Sequence, residues 1–287
     1  MNKRYNSIKY LVIAGLFICC AILFSVWQNN SIVVTQSNFV SEKIPDSFDQ
    51  FKIVQISDLH NKLFGKDQEK LLEKVREQKP DSIIVTGDLI DQRKYNLHTA
   101  MIFIRGAVKI APVYYVSGNH EAWSGHYETI ENSLMEAGVI VLDNSEIDII
   151  KGKDTIKVMG VSDPDFLTSS YFEGTDASLL EKTLKEWSFN VKGSFRILLS
   201  HRPELFEVYQ SANLDLVFSG HAHGGQIRLP FVGGLVAPDQ GFLPKYTSGS
   251  YTEGPTTMYV SRGLGNSIVP QRLFNRPEIV VVTLLTN

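Results

Sequence analysis

The sequence predicts an α/β layered domain standing behind one apolar N-terminal helix. Three observations carry this prediction. Short, β-branched and nearly uninterrupted apolar runs recur from Phe51 to the C-terminus, as expected of strands buried on both faces. Stretches with helical periodicity lie between several of them, and such alternation favours sheets covered by helices. Residues 10–27 are uncharged and almost wholly apolar, unlike anything later in the chain.

The N-terminal run YLVIAGLFICCAILFSVW, at about 1.5 Å per residue, just spans a hydrocarbon core of roughly 30 Å. Lys3, Arg4 and Lys9 precede it, and Gln28, Asn29 and Asn30 follow. Positive charge on that flank predicts a cytoplasmic tail over residues 1–9, a transmembrane signal anchor over 10–27 and an exported remainder. The expected location is the cytoplasmic membrane, single-pass, with an extracytoplasmic domain. A cleaved signal peptide is the rival reading, but the run is long for one and no small-x-small site follows it. A buried core helix is a third. Cys19 and Cys20 are the only cysteines. Phe17 and Ile18 before Cys19 do not suit a lipidation site, so an inert pair is expected there. A disulfide framework and thiolate-bound zinc are excluded from the rest of the chain.

Residues 28–50 read as a linker with an edge strand over 32–40 and a turn over 45–50. The domain proper is expected over 51–287. Its predicted strands are 51–57, 82–86, 112–117, 139–142, 156–161, 195–200, 214–219, 257–262 and 278–285. Helical periodicity marks 67–79, where Leu71, Leu72 and Val75 share one face amid charges. Stretches 97–109, 127–137 and 176–187 read similarly. The segment 225–256 is rich in Gly and Pro and is expected to form loops and hairpins. No internal repeat is evident.

The chain has 287 residues, 43% apolar and 21% charged, enough for one sizeable core. Its net charge of -3 gives no basic excess, so no nucleic-acid surface is expected. No protein partner is inferred.

The chemistry gathers at the ends of the predicted strands. Strand 51–57 runs into Asp58 and His60, and 82–86 into Gly87, Asp88 and Asp91. Strand 112–117 runs into Gly118, Asn119, His120 and Glu121. Strand 195–200 ends at His201, and 214–219 at Gly220, His221 and His223. Ligands of open α/β sheets gather at the carboxyl ends of strands. A lone Asp-x-His or Gly-Asp is explained as well by a capped turn; Gly-Asn-His-Glu and Gly-His-x-His are stronger signals, and the ordered set of all five is not explained that way. Asp58 and His60, two apart on one segment, can face one ion, and His221 and His223 repeat that geometry.

The expected centre is therefore dinuclear. Carboxylate with neutral imidazole suits borderline ions such as Mn, Fe, Co or Zn. Two divalent ions against two aspartates leave net positive charge, which attracts a phosphate ester. Ions about 3.5–4 Å apart can share a hydroxide that attacks phosphorus in line.

At these residues the sequence resembles the calcineurin-like metallophosphoesterases, whose ordered signature is D-x-H, G-D-x-x-D, G-N-H-[DE], H and G-H-x-H. The resemblance spans about residues 51–285. The segments GHAHGGQIRLP, APDQGFLPKY, YVSRGLGNS and RPEIVVVTL resemble the YkuE/YaeI-like branch of membrane-associated bacterial phosphoesterases. The resemblance implies a four-layer α/β/β/α sandwich of two mixed sheets. It also implies that Asp58, His60, Asp88 and His223 hold one metal, and Asp88, Asn119, His201 and His221 the other, with Asp88 bridging. His120 is implied to contact the phosphoryl group and protonate the leaving oxygen. Asp91 is implied to orient it.

The expected reaction is hydrolysis of a phosphate ester, by a phosphodiesterase or pyrophosphatase at the membrane surface. The substrate class includes lipid- or envelope-linked esters, and 231–246 is apolar enough for a lipid-facing lip. One alternative is a lipid A pathway pyrophosphatase acting on UDP-2,3-diacylglucosamine, against which the expected outward orientation counts. A non-catalytic binding module on the same scaffold is an alternative of another class; such a module would be expected to have lost ligands, and all are present. Glu121 reads equally as support for a ligand or as a helix N-terminal acid. Arg93, Arg202, Arg228 and Arg262 are candidates for substrate phosphate, each with a structural role as the simpler reading. Asp163 and Pro164 are expected to shape a loop near the cleft.

Overall fold

A computed structural model describes residues 2–167, 176–188, 193–266 and 270–287. Helix α1 (Asn2–Asn30) continues three residues past the predicted apolar run. Its segment Ile8–Asn30 is long and apolar enough to cross a membrane. Its final turns are docked on the rest of the chain. Ser25 Oγ donates to Gln271 Oε1 at 2.6 Å, and Asn29 Oδ1 accepts from the Arg272 and Asn266 nitrogens. Lys62 Nζ also donates to the Asn29 carbonyl.

The strands that follow are β1 (Val33–Val40), β2 (Lys52–Ile56), β3 (Ser82–Thr86), β4 (Val113–Val116) and β5 (Ile140–Val141). Next come β6 (Ser145–Lys151), β7 (Asp154–Gly160), β8 (Arg196–Leu199) and β9 (Leu216–Ser219). Two short hairpins, β10 (Arg228–Leu229) with β11 (Gly233–Gly234) and β12 (Val236–Ala237) with β13 (Gly241–Phe242), precede β14 (Gly249–Glu253), β15 (Thr256–Val260) and β16 (Glu278–Leu285). The main strands form two six-stranded mixed sheets, in the orders β1-β16-β2-β3-β4-β5 and β14-β15-β9-β8-β7-β6. Within them β2, β3, β4 and β5 run parallel, as do β7, β8, β9 and β15.

Strand alternation explains why the runs are apolar throughout. Successive side chains point to opposite faces, and each face has its own core. Ile53, Ile84, Val158, Ile197 and Phe218 fill the space between the sheets. Val54, Ile56, Ile83 and Val85 point the other way, against α2 (Glu69–Glu77), α3 (Leu97–Ala107) and α5 (Tyr127–Glu136). Met159, Leu198, Val217 and Met258 meet α6 (Ser178–Ser188) and α7 (Phe206–Ser211). The result is the four-layer α/β/β/α arrangement.

The nine strands predicted from Phe51 onward all form, and the stretch 32–40 becomes the edge strand β1. Strand β6 lies outside the predicted runs, and β14 falls within the stretch 225–256 expected to form loops and hairpins. Both are sheet edges whose side chains are largely exposed, so neither carries a continuous apolar run. Helices α7 and α4 (Asn119–Trp123) are too short for periodicity to reveal.

Candidate metal centre

Parallel strands β2, β3, β4, β8 and β9 all end at one edge, and the polypeptide turns sharply just beyond each. Asp58, His60, Asp88, His221 and His223 all adopt positive φ, between 46° and 64°. For residues with a Cβ this costs on the order of 1 kcal/mol or more each, and such strain concentrates at functional sites. The turns brace one another: Asp58 N donates to the Gly87 carbonyl and His60 N to the Asp88 carbonyl, both at 3.0 Å. Gly87 (φ 82°) permits this crossing, because a Cβ there would lie 2.6 Å from His201 Nδ1.

The structure brings the predicted residues into two groups that share Asp88. Asp58, His60, Asp88 and His223 each offer a ligand atom within 4.8 Å of the others, and so do Asp88, His201 and His221. Asp88 Oδ2 lies 3.5 Å from His60 Nε2 and 3.3 Å from His201 Nε2, between the two groups. His223 Nε2 is 3.0 Å from His60 Nε2 and 3.3 Å from Asp58 Oδ1. On the other side, His201 Nε2 is 3.1 Å from both His221 Nδ1 and Asn119 Oδ1. All seven side chains are buried.

The electrostatics favour ligation. Burial, aided by neighbouring His120, lowers His60 to about 3. Burial and the Arg202 guanidinium lower His221 to about 4, and burial with His60 holds His223 well below the usual histidine range. These three rings are neutral at pH 7, the state that ligates. His201 differs. Burial alone would lower it, but Asp88, Asp58 and Asp163 overcome burial and raise it to about 10. Its Nδ1 lies 2.7 Å from the Thr86 carbonyl, so Nδ1–H donates there and Nε2 faces Asp88. Burial pushes Asp58 up to about 6, while His201 and His120 hold Asp88 well below the carboxylate range despite its burial.

Two divalent ions fit this donor set. With His60 and His223 neutral, their facing Nε2 atoms can hold at most one proton between them, and the carboxylate oxygens add only further lone pairs. Convergent neutral imidazoles, two carboxylates and an amide oxygen suit borderline cations.

His120 sits beside the first group, its ring 4.5 Å from that of His60. Its Nδ1 accepts the Gln92 backbone N–H at 3.1 Å. Asp91 Oδ1 is 3.7 Å from the same atom, beyond hydrogen-bond distance, and Asp91 is engaged by Arg93 through three bonds of 2.9–3.2 Å. A cleft of about 460 Å³ opens here, lined by His60, Asp91, Asn266 and Pro270 and by the basic side chains Lys62, Arg93 and Lys94, of which burial and then Arg272 lower Lys62 to about 7.

The other arginines lie away from this cleft. Arg228 donates to the Gly224 carbonyl and Thr247, and Arg262 pairs with Glu278 at 2.7 Å. Arg202 is buried against Asp163, Asp165 and Asp239, with Nη1 3.2 Å from His221 Nε2. Asp163 thus shapes the loop by holding Arg202. Glu121 is fully buried and accepts backbone N–H groups from Asp88, Gly118 and Ile90, at 2.8, 2.8 and 3.1 Å. It therefore both caps α4 and braces the Asp88 turn.

Sequence reasoning missed two features. Asp239, in the β12–β13 turn, lies 2.9 Å from His221 Nε2. Its Pro-Asp-Gln-Gly setting signals only a turn, and the contact spans 18 residues. Lys62 and Lys94 carry no motif at all.

The comparisons agree with this geometry. The chain matches the calcineurin-like phosphoesterase family over residues 51–225. It is 35% identical over 263 residues to the uncharacterized metallophosphoesterase YkuE of Bacillus subtilis, covering 90% of this chain and 87% of that protein. It is 29% identical over 246 residues to the phosphodiesterase YaeI of Escherichia coli, covering 84% of each. Among solved structures, TT1561 of Thermus thermophilus has the same fold, with a TM-score of 0.50 at 17% identity over 75% of this chain and 90% of that one.

Proposed function

This chain belongs to the calcineurin-like phosphoesterase family and is a metallophosphoesterase, and from that premise we propose that it hydrolyses phosphodiesters with two divalent ions. Asp58, His60, Asp88 and His223 would hold the first ion, and Asp88, Asn119, His201 and His221 the second. The observation that carries this reading is Asp88 Oδ2, which lies within 3.5 Å of imidazole nitrogens from both groups. When bound, such ions neutralise phosphoryl charge and make water nucleophilic at neutral pH.

The chain's own residues supply the rest. Arg93 and Lys94 give the cleft a cationic rim that draws in and orients an anionic ester, with Lys62, lowered to about 7 by burial and by Arg272, adding only part of a charge at neutral pH. Attack of water oxygen on phosphorus breaks the bond to the leaving oxygen, which takes a proton from His120, and the proton released by the attacking water passes through solvent to restore the charged ring. His120 serves as this acid when both its nitrogens are protonated. Nδ1–H then opposes the Gln92 N–H, and Asp91 Oδ1, 3.7 Å away, is the nearest carboxylate acceptor.

Helix α1 supports an anchored enzyme, and Lys3, Arg4 and Lys9 support an exported domain. The test is hydrolysis of bis(p-nitrophenyl) phosphate against the matching monoester and a nucleotide pyrophosphate, after loading with Mn, Fe or Zn. Preferential, chelator-sensitive diester cleavage is expected. Activity that survives complete metal removal would refute the reading.

A further inference from the structure

We propose that the hairpins β10–β11 and β12–β13, with Phe274, form a membrane-docking lip that enters the bilayer interface beside α1 and holds the metal cleft at headgroup level. This deepens the anchored-enzyme reading and rests on it.

The Phe24 and Phe274 rings lie 5.7 Å apart, and Gln271 bonds Ser25. Phe24 is six residues before the end of α1, or about 9 Å down the helix axis. The domain therefore reaches down the flank of the apolar helix. If that helix spans a bilayer, Phe274 lies below the helix end and inside the interface.

Ile227 pairs with Leu273, and Arg228 N donates to the Leu273 carbonyl at 3.0 Å, so β10 begins beside Phe274. Leu235 N donates to the Ile227 carbonyl, and Leu243 N to the Leu235 carbonyl, which ties the second hairpin to the first.

Phe231 and Phe242 are 109% and 72% exposed, and Val232, Leu243 and Phe274 are each about half exposed. Contiguous exposed apolar side chains of this size mark an interaction surface. The charged groups of the same segment are paired within the domain, although Asp239 stays 38% exposed. The Arg228 guanidinium bonds Gly224 and Thr247, and Asp239 bonds Arg202 and His221. The β10–β11 tip is left apolar at Phe231 and Val232, and exposed Phe242 follows the β12–β13 turn, whose Asp239 and Gln240 bond back to His221 and Tyr246. Trp27 at the end of α1 stacks on Arg276 at 4.6 Å, an arrangement suited to the water–lipid boundary. A bilayer is the occupant already adjoining this patch, and the Asp239–His221 contact ties the lip to the metal groups.

The experiment uses the full chain with Cys19→Ser and Cys20→Ser, in nanodiscs of phosphatidylethanolamine and phosphatidylglycerol. Nitroxide labels are placed singly through Phe231→Cys, Phe242→Cys, Leu16→Cys and Ile150→Cys, and relaxation by oxygen is compared with relaxation by a water-soluble nickel chelate. Labels at 231, 242 and 16 should favour oxygen, and the label at 150, on edge strand β6, should favour the chelate. If 231 and 242 behave like 150 while 16 is lipid-exposed, the lip is wrong and the anchor stands. If 16 also favours the chelate, both fall. Spin–spin broadening at 231 or 242 would mean that a second copy covers the lip, which also overturns the proposal. Hydrolysis of soluble bis(p-nitrophenyl) phosphate by each variant should match the parent; its absence in the parent would count against the phosphodiesterase reading alone.

Discussion

Asp239 Oδ2 lies 2.9 Å from His221 Nε2, while Nδ1 of that ring faces His201 Nε2 at 3.1 Å. A carboxylate from a distant hairpin thus fixes which nitrogen of His221 faces the metal group. The bond to His221 also helps lower Asp239 to about 2. Asp239→Ala should weaken binding of the second ion by roughly 10- to 100-fold, the usual effect of losing a carboxylate behind a ligating histidine. Activity should return at high metal concentration. Competitive metal titration checks this, and unchanged affinity would make the contact incidental.

Asp88 and His120 should separate metal loading from turnover. Asp88→Ala removes the oxygen shared by both groups and should abolish binding and activity together. His120→Ala should keep both ions and cut turnover by roughly 100-fold or more. Metal analysis beside a diester assay distinguishes them. Full turnover in His120→Ala would reassign the acid.

Metal affinity should rise with pH. His201, raised to about 10, carries a proton in the metal-free protein throughout the neutral range, and an incoming ion must displace it. Affinity for the second ion should therefore increase about tenfold per pH unit between pH 7 and 9, with about one proton released. Asp58, raised to about 6, adds a further proton below that pH, so binding should fail more steeply in acid. His60 and His221, at about 3 and 4, add none above pH 5. Calorimetry in buffers of different ionisation enthalpy reads the proton count, and no release at pH 8 would contradict the assignment.

Glu121 should matter to stability before chemistry. Glu121→Ala orphans the backbone N–H groups of Asp88, Ile90 and Gly118 in the interior. A loss of about 3 kcal/mol or more is expected, at 1–3 kcal/mol per unsatisfied group. Urea unfolding of metal-free protein measures it without interference from metal binding.

Much of this architecture was legible in the sequence, for identifiable reasons. Strands buried on both faces, such as Ser82–Thr86, appear as continuous apolar runs. Polar residues immediately after such runs stand out, which is why Asp58, Asp88, Asn119, His201 and His221 could be singled out before any fold was known. Edge strands like Ser145–Lys151 lack that signal, because half of each pleat faces water. Long-range polar contacts lack it entirely. The 3.7 Å gap between Asp91 and His120, with Gln92 N–H taking the ring nitrogen, is set by backbone geometry that spacing does not encode.

The central claim is that two cations sit on either side of Asp88. Anomalous diffraction from crystals of the full chain loaded with manganese tests it most directly. Two peaks about 3.5–4 Å apart are expected, one among Asp58, His60 and His223 and the other among Asn119, His201 and His221. A single peak, or peaks away from Asp88, would contradict it.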